Sequence, residues 1–289
     1  LSISGGEPLL RKDFFEVATY AKKKIPYISI ATNGTLLTKD NVKKIKEVGI
    51  DYVEISLDGI SKEVHESFRM VSGCFEKTME RIRNCLDDKL DVCIASTAHK
   101  DNLKEIPKII ELAEELEARF IHFNYIPTGR AKKHIELDLS PQERFLLLKM
   151  MGKKIVNLYI KAKEEERKTG KTQIKVNRFF STCPQFASVV RKLTREEGYD
   201  FTVSAHYAAI RGVETVAHFL GGCGAGRLYL GLEPNGDIKP CVFFPTNNKT
   251  VIGNILDDDL EYIWDNNEVL WKLRTRERLE SYKTNERII

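Results

Sequence analysis

The sequence predicts an α/β fold built on a parallel sheet, an open or partial barrel, with a small β-hairpin and helix extension at its C-terminal end. Three observations predict it. Short apolar runs alternate with amphipathic stretches through the first half of the chain, and strand–helix alternation of this kind implies right-handed βαβ units. That rhythm breaks near residue 170. Beyond the break, Pro234-Asn235-Gly236-Asp237 separates two β-like runs, and Asn-Gly between such runs signals a hairpin.

Taken in order, residues 1–4 read as a strand. Residues 12–24 are helical by the spacing of Phe14, Phe15, Val17, Ala18 and Ala21. Residues 27–31 form the next strand. Residues 38–48 form a helix with Thr38 as N-cap and Gly49 as its stop. A strand at 52–57 precedes helical stretches at 61–67 and 75–88. Then come a strand at 91–96, a helix at 103–115 and a strand at 120–125. Five strands are too few for an eight-stranded closed barrel, and a partial barrel with one more strand before Leu1 fits better. Residues 141–168 are a long amphipathic helix with Pro141 in its first turn. Residues 177–222 read as irregular. Two strands at 227–232 and 238–242 make the hairpin, and a final helix is expected over 259–278. The domains are therefore expected to be 1–170 and 171–289. The chain opens on Leu1 in mid-strand and runs out at Asn285-Glu286-Arg287-Ile288-Ile289, so both ends are expected to be incomplete.

Composition narrows the function classes. The 289 residues are 42% hydrophobic and 30% charged, with a net charge of +4. That charge is too small and too interspersed for a nucleic-acid partner. No apolar run is long enough to span a bilayer, so no membrane partner is expected. The six cysteines, at 74, 85, 93, 183, 223 and 241, are more consistent with thiols or metal ligands than with disulfides in a large Lys/Glu-rich chain. The setting this suggests is cytoplasmic.

In parallel α/β folds the functional groups gather at the carboxyl ends of strands. Four such ends are rich in glycine or polar residues: Ser4-Gly5-Gly6-Glu7-Pro8, Ala31-Thr32-Asn33-Gly34, Ser56-Leu57-Asp58-Gly59 followed by Arg69, and Tyr125-Ile126-Pro127-Thr128-Gly129-Arg130. The glycines let a ligand approach the backbone. Glu7 suits an ammonium group, and Ser56 with Arg69 suits a carboxylate. Together they make a set for a zwitterionic amino acid. Taken singly, Thr32-Asn33-Gly34 and Ser56 to Asp58 are ordinary turn chemistry, and His122 is a core histidine before it is a catalyst. No residue stands out as catalytic.

As an ordered set, GGEP, TNG, SLDG with a following arginine, and PTGR resemble the core of the radical S-adenosylmethionine (SAM) superfamily. The resemblance covers residues 1 to about 130. It implies a partial (β/α)6 TIM-like barrel lacking its first strand. Gly5, Gly6 and Glu7 would hold the methionyl amine of SAM, Ser56 and Arg69 would face its carboxylate, and Asp58 and Thr97 would lie toward the nucleoside. The family's cluster-binding C-x3-C-x2-C spacing occurs nowhere among the six cysteines, so these residues alone are expected to be inactive. Cys223, Gly236 and Cys241, in a C-x12-G-x4-C pattern, resemble the opening of the SPASM or twitch extension. There the two thiolates would help ligate an auxiliary [4Fe–4S] cluster, with Cys183 a weaker candidate. On spacing alone, a structural hairpin or half of a zinc site is equally open. The implied parent is an oxidoreductase that generates a 5′-deoxyadenosyl radical to modify a peptide or a cofactor precursor. Its electron donor would be a ferredoxin or flavodoxin. A non-catalytic SAM-binding or scaffold remnant and a phosphate-binding barrel lyase or isomerase are the alternatives.

Overall fold

The computed structural model describes residues 1–172, 178–199 and 224–275. The chain divides into two compact units. One comprises Leu1–Tyr125 with Leu139–Val203, the other Ile126–Asp138 with Ser204–Ile289.

The first unit is a six-stranded parallel sheet in the order β1 (Ser2–Ile3), β2 (Ser29–Thr32), β3 (Tyr52–Ser56), β4 (Val92–Ala98), β5 (Arg119–Asn124) and β6 (Phe179–Ser181). Helices α1 (Phe14–Lys22), α2 (Lys39–Val48), α3 (Lys62–Arg69), α4 (Cys74–Asp87), α5 (Ile106–Glu115), α6 (Pro141–Thr169) and α7 (Gln185–Glu196) connect or follow the strands. The caps follow the residue types present. Thr38 accepts the Asn41 N–H to start α2, and Gly49 ends it at φ +77°. Ser140 and Glu143 form a reciprocal capping box ahead of Pro141.

Side-chain alternation decides which face each strand residue covers. Ile30, Val53, Ile55, Ile94 and Phe120 join residues from α1, α2, α4, α5, α6 and α7 in one core. Truncating a fully buried member such as Ile55 to alanine costs about 2–5 kcal/mol. The opposite face carries Tyr52, Cys93, Ala95, Ile121 and Phe180 as a separate small cluster. With the core-forming helices on one side, this second face is the concave one, as in a partial barrel.

The sixth strand corrects the sequence reading. Five strands were expected, and 177–222 was expected to be irregular, yet β6 pairs in parallel with β5 through Phe120↔Phe179, Ile121↔Phe180 and His122↔Ser181. Its apolar run is short, and its partner lies more than 50 residues upstream, across α6.

In the second unit, β7 (Gly231–Leu232) and β8 (Asp237–Lys239) form the expected hairpin, with β9 (Gly253–Asn254) added antiparallel to β8. The turn is Glu233-Pro234-Asn235-Gly236, closed by the Gly236 N–H donating to the Glu233 carbonyl at 2.9 Å. Gly236 has φ +91°, and a Cβ there would meet Asn254 Oδ1 at 2.5 Å, so only glycine fits. The expected final helix is two, α8 (Leu260–Asn266) and α9 (Glu268–Thr275). They break at Asn267, which turns extended, and its Oδ1 accepts the Val269 N–H at 2.9 Å. No helix of the described residues is long and apolar enough to cross a membrane.

Candidate cofactor site

The carboxyl ends of β1 to β4 bring most of the expected residues into two arrays. In the first, Glu7 lashes β1 to β2. Its Oε1 accepts the Thr32 hydroxyl at 2.7 Å and the Leu9 N–H at 3.2 Å, and its Oε2 accepts the Asn33 N–H at 2.8 Å. Thr32 and Asn33, ordinary turn residues when taken singly, are thus the partners of the most functional-looking carboxylate. Gly5 has φ +143°, and a Cβ at Gly5 or Gly6 would meet no atom within 4 Å. The two glycines line open space beside Glu7.

The second array joins β3, α3 and β4. Asp58 is fully buried. Its Oδ1 accepts the Thr97 N–H at 2.8 Å, and its Oδ2 pairs with the Arg69 guanidinium at 2.5 Å. Its own N–H donates to His65 Nδ1 at 3.1 Å, and Asn102 Nδ2 bridges the carbonyls of Asp58 and Thr97 at 2.9 Å each. Burial pushes the pKa of His65 down, against the pull of Asp58, which keeps the ring neutral and able to accept. Asp58 therefore aims Arg69 rather than facing open space. The Arg69 Nε–H is buried with no acceptor among the described residues. Phe68 stacks on His99 with ring centroids 4.2 Å apart. Burial lowers the His99 pKa as well, and neither of its ring nitrogens has a hydrogen-bond partner among the described residues. Ser56 is half-buried at the end of β3, on the concave face. Asn102, His65 and His99 carry no motif, so only the fold reveals them.

Deeper on the concave face stands Glu54, between Ala31 of β2 and Cys93 of β4 in the strand register. Burial raises its carboxyl pKa to about 7. Burial also pushes Cys93 and Tyr52 well above their usual range. His122 faces the other way, in line with Phe120, and its Nδ1 lies 2.9 Å from Ser181 Oγ. Burial, with a smaller contribution from Arg144, pushes its pKa down to about 3. It is the core histidine its sequence context suggested.

Two of the three expected auxiliary ligands lie among the described residues. Cys223 lies outside the described residues. Cys183 is buried in the main core of the first unit, its thiol donating to Gln185 Oε1 at 2.7 Å. Cys241 is buried in the second unit, two residues past the end of β8, and receives the Tyr229 hydroxyl at 3.6 Å. The loop after Cys241 is pinned by Lys239, whose buried ammonium pairs with Glu233 and donates to the Phe244 carbonyl at 3.0 Å and Thr246 Oγ1 at 3.2 Å. Among the described residues, no three His, Cys, Asp or Glu side chains are close enough to hold a metal ion. Tyr125 belongs to the first unit, and Ile126 to Arg130 of the PTGR turn belong to the second.

Comparison with known proteins decides the family. The radical SAM superfamily model matches residues 1–113, and an iron–sulfur cluster-binding domain of the SPASM type matches residues 223–286. An AdoMet-dependent heme synthase of Methanosarcina barkeri is 34% identical over 282 residues, covering 97% of this chain and 72% of that protein. The chain belongs to the radical SAM superfamily. A Methanosarcina barkeri Fe-coproporphyrin III synthase is 40% identical over 141 residues, which is 48% of this chain and 35% of that enzyme. Streptococcus suis SuiB bound to the precursor peptide SuiA shares the fold, with a TM-score of 0.66 at 19% identity over 95% of this chain. The chain spans 55% of SuiB's length.

As a radical SAM protein with a SPASM domain, the chain takes SAM and iron–sulfur clusters as its cofactors. The residues present suit SAM. The open glycine backbone at Gly5 and Gly6 leaves room for it, and the Arg69 side chain, 29% exposed while held by Asp58, offers a positive charge for its carboxylate. Cys241, a buried sulfur that accepts a hydrogen bond, suits a thiolate ligand.

Proposed function

We propose that this protein is a radical SAM enzyme that modifies a tetrapyrrole cofactor precursor. The observation that carries this reading is the resemblance to a heme synthase through both domains, over 97% of the chain. In this reading, Gly5, Gly6 and Glu7 hold the SAM amine, Ser56 and Arg69 hold its carboxylate, and Thr97 lies toward the nucleoside. Asp58 is a positioning residue that fixes Arg69. We also propose that the barrel core and the SPASM extension carry the two functions separately, the core running past the expected boundary at 170 to take in β6 and α7, with Cys223 and Cys241 as ligands of the auxiliary cluster. Cys183 is the weaker candidate, held in the other unit.

Bound SAM, once given one electron, supplies a 5′-deoxyadenosyl radical that removes a hydrogen atom from the substrate. The chain's own part is orientation and the exclusion of stray hydrogen donors. Glu7 is oriented before any ligand arrives, because three donors already hold its two oxygens. The concave face beneath is largely apolar, with Tyr52, Cys93, Ala95, Ile121 and Phe180 gathered there, Glu54 between Ala31 and Cys93, and Arg119 over the Tyr52 ring. The electron donor is of the ferredoxin or flavodoxin class, in a reducing cytoplasm.

The experiment is anaerobic incubation of the full protein, reconstituted with iron and sulfide, with SAM, dithionite and Fe-coproporphyrin III. The expected result is 5′-deoxyadenosine together with a porphyrin product of lower mass. Deoxyadenosine with an unaltered porphyrin refutes the tetrapyrrole reading and moves the substrate class to peptides, as for SuiB.

A further inference from the structure

We infer that Tyr229 tunes the auxiliary iron–sulfur cluster by donating its hydroxyl hydrogen bond to the sulfur of Cys241. The inference rests on the reading of Cys241 as a cluster ligand, and adds to it a residue that no cysteine pattern reveals.

The geometry comes from the hairpin. The Tyr229 hydroxyl lies 3.6 Å from Cys241 Sγ, within the usual reach of a hydrogen bond to sulfur. Cys241 is 5% exposed, so water is largely kept from the contact. Two features hold the tyrosine in place. Its ring lies against Gly224, where a Cβ would come within 2.9 Å of Tyr229 Cε1. Its segment is tied to the cysteine's, because the Gly226 N–H is shared between the Tyr229 carbonyl at 3.1 Å and the Pro240 carbonyl at 3.0 Å. Pro240 directly precedes Cys241, so ring and thiol are fixed by the same backbone knot. Gly231 closes the arrangement, its Cα facing the backbone of Cys241 and Val242 so closely that a Cβ would sit 2.8 Å from the Val242 nitrogen.

The consequence follows from charge. When a [4Fe–4S] cluster takes one electron from an external reductant, no bond breaks, and the added negative charge spreads onto its thiolate sulfurs. A hydrogen bond aimed at such a sulfur stabilises the reduced form more than the oxidised one and raises the reduction potential. Tyr229 acts through Cys241, so it is a positioning residue.

The test uses the anaerobically reconstituted full protein in three forms, with EPR-monitored redox titration as the readout. C241A assigns the auxiliary signal by removing it and lowering the iron content. Y229F is expected to keep the wild-type iron and sulfide content while its auxiliary potential moves more negative. A hydrogen bond's differential of up to about tenfold in the reduction equilibrium is about 59 mV for one electron. Replacing Tyr229 by 3-fluorotyrosine, a stronger donor, is expected to shift the potential the other way, measured below neutral pH so that the hydroxyl keeps its proton. An unchanged potential in both variants, with the signal lost in C241A, overturns the role of Tyr229 while leaving the cluster reading intact. A C241A protein with undiminished iron and signals overturns both. Loss of the cluster in Y229F, with an unshifted potential in the fluorotyrosine protein, also overturns the tuning role.

Discussion

Replacing Glu54 by glutamine should stabilise the protein at alkaline pH and leave it nearly unchanged in acid. Glu54 stands on the concave face, flanked in the register by Ala31 and Cys93, and burial raises its pKa from 4.5 to about 7. A raised carboxyl pKa means that the folded protein holds a proton the unfolded chain has released. Stability therefore falls as pH rises from 4.5 through 7 and is level on either side of that window. At 1.36 kcal/mol per pH unit the full difference is about 3 kcal/mol. The side chain keeps some solvent access, which reduces the expectation to about 1–3 kcal/mol. Glutamine keeps the shape and never ionises, so above neutral pH the variant should recover that amount. Urea unfolding of wild type and E54Q, in parallel at about pH 4.5 and about pH 8, measures the difference. A larger midpoint for E54Q only at the higher pH is the expected result. Equal effects at both pH values would show that Glu54 titrates normally, and the account of a desolvated lumen carboxyl would fail.

Three further outcomes follow from the same geometry. D58N leaves the Arg69 guanidinium without its buried partner and should cost about 3 kcal/mol, together with at least a tenfold loss of SAM affinity by equilibrium dialysis; full affinity would mean Arg69 needs no aiming. His122, with its pKa near 3, binds a proton more readily unfolded, so stability should fall as pH drops from 6.5 toward 3. A thermal melt series of H122Q against wild type, with the acid loss shrinking in the variant, checks it. K239M strands Glu233 and the Phe244 carbonyl and should loosen the loop after Cys241. The expected reading is a lower iron content with unchanged SAM binding in the barrel.

The fold was legible in the sequence where period and punctuation agree. Thr38 and Gly49 bracket α2 as their chemistry requires, and Asn235-Gly236 marks the hairpin even though the turn centres on Pro234-Asn235. β6 was not legible, because a three-residue run has no period and its partner is distant in sequence. The single helix expected over 259–278 failed at Asn267, whose side chain caps the next helix instead of continuing the first. At the site, Glu7, Ser56, Asp58 and Arg69 stood out as a motif set, but their wiring did not. A sequence shows that Asp58 and Arg69 are close along the chain; only the fold shows that Asp58 is spent on holding Arg69 and that Asn102 ties two strand ends together.

The late arrival of β6 also shapes how this chain leaves the ribosome. Until Phe179–Ser181 emerges, the far side of β5 is an unpaired strand edge, open to pairing with other nascent chains. More than 50 residues separate the two strands, which at 5–20 residues per second is a delay of roughly 3–10 s. During that interval α6, a 29-residue helix that can form on its own within microseconds, is the element available to shield the edge. Helix-weakening substitutions on the exposed side of α6 would then lower the yield of folded protein without changing the finished sheet.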